Sequence, residues 1–283
     1  MTKPPTTYEQ QVELLKARNI IINDNGFCLK ALENLNYYRL TAYMLQYKRD
    51  DSGYENVSFE TVYNIYEFDR KLRSLLLMVL EEVELALRTK LSYYHAHSFG
   101  ALGYVDKGNF NDKHNHDEFL QEFSKLINKN RNFPFVKHHI AKKEGKFPIW
   151  VAVELFPFGM LSRFFADMPS KNKKEFASEY FDTGYQLLES WLLCISNLRN
   201  RCAHYVRLYN FKFNKWPASP KKGIKLKNTI FDYIYILRYC HSDLNKWKNS
   251  FLVDLRALVD EYKEYIDLVC IGFPGDWEHK LRK

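Results

Sequence analysis

A chain of 283 residues with 46% hydrophobic side chains holds enough apolar surface for one large domain or two small ones. Lys and Arg number 42 against 34 Asp and Glu. The resulting net charge of +8 favours a polyanionic partner such as nucleic acid, although plain solubility accounts for a modest excess equally well. The longest apolar run, near Leu75–Leu80, stops at Glu81 and Glu82, which excludes a membrane span there, and five cysteines without CxxC spacing exclude a disulfide framework.

Met1-Thr2-Lys3-Pro4-Pro5 has no apolar run after its lysine, so no signal peptide is expected. With reduced thiols at Cys28, Cys194, Cys202, Cys240 and Cys270, the expected location is the cytoplasm. Thr6 with Glu9, and Thr7 with Gln10, each fit a capping box before Val12, Leu14 and Leu15. Asn23-Asp24-Asn25-Gly26 reads as a turn, and a second helix runs from near Phe27 into Tyr37–Leu40. Asp50-Asp51-Ser52-Gly53 closes that region. Ser58 then opens a stripe at three- and four-residue steps through Val62, Ile65, Leu72, Leu76, Val83, Leu87 and Leu91, the face of a helix of about 35–40 residues. Asp69 with Arg73, and Glu84 with Arg88, are i,i+4 pairs that spacing alone assigns to the surface. Apolar neighbours leave Glu84 and Arg88 a second reading, facing the core or a cleft.

Residues 99–146 are polar, interrupted by glycine and rich in His and Lys, as a long loop or small helical insertion would be. Phe147-Pro148-Ile149-Trp150 opens another apolar helix, which Phe156-Pro157-Phe158-Gly159 interrupts. Tyr185–His204 forms a strongly apolar helix, Trp216–Pro220 a loop, and Asn228–Cys240 and Ser250–Tyr265 the closing helices. Gly272–Trp277 is a turn with aromatic anchors. The expected architecture is all-α, a single domain over residues 1–283 with an N-terminal helical extension (1–57) packed on a 58–283 core.

The chemistry concentrates at Arg199-Asn200-Arg201-Cys202-Ala203-His204. Arginine grips phosphate oxygens with a permanently charged planar fork, and histidine exchanges protons near neutral pH. At about 100° per residue, Arg199 and His204 lie roughly 140° apart on a straight helix, whereas Asn200 and His204 share a face. Either the helix ends before His204, or a second copy completes the site across a two-fold axis. In a dimer, one His takes the proton of a ribose 2′-hydroxyl and the other protonates the leaving 5′-oxygen, with arginines stabilising charge on phosphorus. The bland reading is that His204 merely caps a helix C-terminus.

The segment Arg199–Asn210 resembles the signature of Abi-like abortive-infection proteins of the AbiD/AbiF type, which belong to the HEPN superfamily of helical RNases. Asn36-Tyr37-Tyr38-Arg39-Leu40 with Tyr43, Phe68–Arg73, Glu84–Arg88, Pro148-Ile149-Trp150 with Glu154 and Gly159, and Gly272-Phe273-Pro274 with Trp277 resemble the same family in the same order. That resemblance implies a HEPN-type helical bundle and homodimeric, metal-independent RNA cleavage leaving a 2′,3′-cyclic phosphate. It also implies a toxin of anti-phage defence, restrained in some relatives by a small noncoding RNA. On this chain it implies Arg199 and His204 as catalytic, with Asn200 positioning them. It further implies RNA contacts from Arg207, Arg201, Lys212 and Lys215, and Glu84 and Arg88 as supports of the motif helix. RNA is the expected partner rather than DNA or a membrane, and no cofactor or metal is expected.

Other features carry less. His114 and His116 with Asp112 and Asp117 offer zinc-ligand residue types but no second cluster at ligand spacing. His95 and His97 are expected to bond the last carbonyls of the long helix. The lysine clusters at 137–146, 171–174 and 212–227 read as solvated loops, the third drawing weight from its place after the motif. Ser196 and Cys202 lack the context of an activated nucleophile. No glycine-rich phosphate loop is present, so nucleotide hydrolysis is not expected. A non-catalytic RNA-binding protein and a protein-interaction module are the rival readings.

Overall fold

The computed structural model describes residues 4–50, 53–55, 57–221 and 223–283. Met1–Lys3 of the N-terminal reading, Asp51 and Ser52 of the expected turn, and Lys222 of the third lysine cluster lie outside the described residues. With 68% helix and 3% strand, the protein is the all-α bundle that the periodicity demands.

The chain opens with α1 (Tyr8–Lys16), α2 (Asn25–Asn34) and α3 (Tyr37–Met44). Thr7 and Gln10 form the capping box of α1, and Asp24 caps α2, so the expected turn at Asn23–Gly26 is already the first turn of a helix. Short strands tie these helices to the residues just before the long helix. β1 (Ile20–Ile21) pairs in parallel with β4 (Val57–Ser58), and β2 (Lys48–Asp50) pairs antiparallel with β3 (Gly53–Tyr54).

The axis of the fold is α4 (Phe59–Phe99), 41 residues and about 60 Å long. The Ser58 side chain accepts from the Thr61 amide at 3.0 Å to start it, and Gly100, at φ 82, ends it. Its apolar stripe is buried along its whole length. Asp69, Arg73, Glu84 and Arg88 are buried with it, which corrects the surface reading of both i,i+4 pairs. Their positions explain why. Asp69 lies between Ile65 and Leu72 on the stripe, and Glu84 between Leu80 and Leu87.

Residues 99–146 form a helical insertion, with α5 (His116–Lys129) and α6 (Pro134–Lys142) joined by short turns. It closes over an aromatic cluster in which Phe110, Phe119 and Phe123 meet Phe156 and Phe164. His95 is sealed in that cluster, against Phe99, Phe110 and Phe164. Neither ring nitrogen has a hydrogen-bond partner, so the expected bond to a helix carbonyl is absent, and burial pushes its imidazole down to about 4. His97 does make that bond, to Tyr93 O at 2.8 Å.

Pro157 breaks α7 (Ile149–Ala152) from α8 (Phe158–Asp167), and α9 (Ser170–Phe181) comes after it. The lysines at 171–174 lie on this helix rather than in a loop. Lys173 is buried, donating to Ala166 O at 2.8 Å and Glu189 at 3.0 Å. Next comes α10 (Tyr185–Ala203), packed on both α4 and α8. A long irregular segment leads to α11 (Ile230–Cys240), α12 (Leu244–Lys246), α13 (Leu252–Tyr262) and α14 (Trp277–Arg282). Among the described residues no helix is long and apolar enough to cross a membrane.

Candidate active site

The site forms where α10 ends beside the middle of α4. Leu188, Trp191, Leu192, Ile195 and Leu198 bury the inner face of α10 and fix its rotation. Arg199 comes next on the rim. Its Nε lies 3.1 Å from Glu84 Oε2, with a third of its side chain exposed. The other oxygen of Glu84 accepts from Arg88 Nη2 at 3.0 Å, and Arg88 Nη1 donates to Val153 O. Thus a buried carboxylate, itself held by a buried guanidinium, sets the position of Arg199. Glu84, Arg199 and Ala203 line an open cleft of about 410 Å³ with Leu77, Met78, Glu81 and Leu85.

His204 lies just past the last turn, so the helix ends before it. The helix stops at Ala203, and His204 is its C-cap. Tyr205 takes a left-handed conformation at φ 58. The Tyr205 amide then donates to Cys202 O at 3.1 Å and the Val206 amide to Arg201 O at 2.9 Å. This is a Schellman ending with tyrosine where glycine is usual, a conformation that costs about 1–2 kcal/mol in a residue with a Cβ.

The strained turn is fastened from several sides. Arg39 on α3 donates to Tyr205 O at 2.7 Å, and Arg207 reaches back to Ala42 O. Asp69, fully buried, accepts the amides of Leu208 at 3.1 Å and Tyr209 at 2.8 Å, the Tyr43 hydroxyl at 2.6 Å, and Arg73. Burial pushes the Asp69 carboxyl up, and Arg73, Tyr43 and the two amides oppose that by favouring the charged form. The Tyr209 hydroxyl accepts from the Asp267 amide at 2.8 Å. His204 is therefore an exposed side chain on a backbone clamped immediately downstream.

The expected residues divide accordingly. Arg199, Glu84 and Arg88 come together in one ion-pair chain. Asn200 and His204 are both exposed and joined by a backbone bond, His204 N–H to Asn200 O at 2.9 Å. Among the described residues no hydrogen bond links the His204 imidazole to the side chain of Arg199 or Asn200. Arg201 and Arg207, expected at RNA, are committed to the protein. Arg201 stacks 3.4 Å from the Phe211 ring centroid and donates to Arg207 O, and Arg207 is held at α3. Lys212 and Lys215 are exposed. Cys202 is buried, its thiol pushed up to about 12, and Ser196 Oγ donates to Leu193 O, so neither presents a nucleophile.

Asp69, Arg73, Tyr43 and Arg39 acquire a role at the site only from the structure. The signals in the sequence are the register of Asp69 and Arg73 on the apolar stripe of α4, and the place of all four in the resemblance segments Asn36–Leu40 with Tyr43 and Phe68–Arg73. Away from this site, His114 bonds Asp167 at 2.9 Å and His116 at 3.2 Å, and no group of three or more His, Cys, Asp or Glu suited to a metal occurs among the described residues.

A family model described as Abi-like protein matches residues 30–210, which span α3, α4, the insertion and the whole of the motif turn. No curated protein and no solved structure gives a significant match.

Proposed function

The chain belongs to the Abi-like protein family, and on that basis we propose that it is a metal-independent endoribonuclease of the HEPN type, acting as a homodimeric toxin in abortive-infection defence. The observation that carries this reading is the end of α10. Arg199 is held by Glu84 at 3.1 Å while keeping a solvent-facing surface, and His204 stands exposed one residue past the helix on a clamped turn. A strained residue beside a candidate acid–base group fits a site where position matters more than stability.

In the proposed reaction His204 accepts the proton of a ribose 2′-hydroxyl, whose oxygen attacks the adjacent phosphorus. The P–O5′ bond breaks, and a second His204 delivers a proton to the departing 5′-oxygen. Arg199 stabilises negative charge growing on the phosphoryl oxygens. The products are a 2′,3′-cyclic phosphate and a 5′-hydroxyl, and no metal is needed for either proton transfer. Within one chain the imidazole and the guanidinium are not joined by a hydrogen bond, which favours a second copy supplying the facing pair. The exposed Met78 and Leu85, bordering the Arg199 cleft, offer an apolar surface for that copy.

The test is cleavage of total RNA in EDTA by wild type, His204→Ala and Arg199→Ala, with cut ends mapped. Cutting by wild type alone, with cyclic-phosphate ends, is the expected result. Equal cutting by His204→Ala would remove His204 from the chemistry.

A further inference from the structure

A second, larger groove lies away from the Arg199 cleft and shares no lining residue with it. Its volume is about 890 Å³, and every lining residue falls downstream of residues 30–210. One wall is the irregular segment before α11, and the other is the turn before α14.

The lining carries an excess of positive charge, six lysines and His279 against Asp232 and Asp276, and Lys280 is paired with Asp276 at 2.9 Å. Lys212, Lys221, Lys225, Lys227 and Lys283 line the rim, all exposed, and none makes an ion pair among the described residues. The floor is apolar and fixed. On α11, Phe231 stacks with Tyr235 at 6.2 Å and meets Phe273 edge to face at 5.1 Å. Gly272, at φ 82, lets that turn lie directly on Thr229, where any Cβ would run into the Thr229 side chain. Thr229 is in turn locked to Asp232 in the capping box of α11. A rigid aromatic floor under unpaired lysines is thus built into the fold.

We propose that this groove is a second RNA-binding surface, holding a single-stranded segment with phosphates on the lysine rim and a base against the apolar floor. Lysines act as point charges that accept phosphates in many orientations, and no arginine lines the groove to demand bidentate geometry. Such a surface grips a strand without reading its sequence and releases it as salt rises. This role for the groove rests on the ribonuclease reading but uses neither Arg199 nor His204, and binding is measured where nothing is cut.

The experiment takes His204→Ala as the background and adds Lys221→Glu, Lys225→Glu and Lys227→Glu together. Affinity for a fluorescein-labelled 20-nucleotide poly-U is followed by anisotropy in EDTA from low to physiological salt. The triple change should weaken binding by at least about tenfold at low salt and reduce the salt slope by about 2, as losing three phosphate contacts requires. Lys225→Gln with Lys227→Gln should give a smaller loss in the same direction. Unchanged affinity and slope in both sets would overturn the proposal. Full displacement of poly-U by micromolar UMP would assign the groove to a mononucleotide instead. Equal displacement by polyglutamate at matched charge would make it a general polyanion patch; either result rejects a strand-binding site. Unchanged binding beside wild-type cutting would reject the groove alone, and groove-dependent binding without cutting would reject the nuclease alone.

Discussion

The end of α10 and the segment after it are both rich in cations, but they use them in opposite ways. Around His204 nearly every charge is tied to the protein: Arg199 to Glu84, Arg39 to Tyr205 O, Arg201 to Arg207 O, Arg207 to Ala42 O, and Arg73 to Asp69. Along Lys212–Lys227 the described lysines stand in solvent with no carboxylate in range. Fixed charges set geometry and resist salt, whereas free ones attract a polyanion at long range and are screened within about 10 Å at 0.1 M salt. The contrast suits a chain that holds RNA with one region and positions chemistry with the other.

Removing a buried anchor should have the largest effect. Asp69→Asn leaves Arg73 unpaired and turns an amide towards the Leu208 and Tyr209 N–H groups, so it should cost about 3–5 kcal/mol in urea unfolding. A loss below about 1 kcal/mol would mean that the turn after His204 does not depend on Asp69. Glu84→Gln should cost about 3 kcal/mol, since Arg88 stays buried without its carboxylate. It should also free Arg199, so that any cutting activity falls further than His204 exposure alone explains.

Acid tests a third environment, the apolar pocket of His95. Its folded-state value of about 4 lies below the ordinary 6.5, so the unfolded chain binds the extra proton first. Stability is then full above about pH 6.5 and lost as pH falls towards 4, by an amount on the order of 3 kcal/mol. His95→Leu should flatten that limb of the pH–stability curve, and an unaltered slope would assign the loss to other groups. Tyr205→Gly should act in the opposite direction, stabilising by about 1 kcal/mol as the left-handed strain is relieved. Lys225→Ala should change stability by less than about 0.5 kcal/mol, the signature of a solvated charge; a larger loss would break the contrast between the two regions.

Much of this is legible in the residues. The stripe from Val62 to Leu91 specifies a helix that spans Phe59–Phe99, and Ser58 marks its start. Asp69 is easily misplaced because i,i+4 spacing to Arg73 looks the same on either face. Its true partners, Leu208 and Tyr209, lie about 140 positions away, a distance over which local pattern carries no information. Lys173 misleads for the same reason, since its partner Glu189 sits on another helix. The insertion resists assignment because its aromatic cluster draws on Phe156 and Phe164 from elsewhere in the chain. At the site, Arg199 and His204 are evident as residue types, but the Schellman ending that separates them depends on Tyr205 adopting a conformation its side chain disfavours.

The most direct measurement is the chemistry of the RNA ends produced by purified wild type and His204→Ala in EDTA. Wild type should leave 2′,3′-cyclic phosphate and 5′-hydroxyl ends and the variant none, while both retain RNA binding. Cutting that persists in His204→Ala, or that stops in wild type when EDTA is added, would contradict a metal-independent reaction centred on His204.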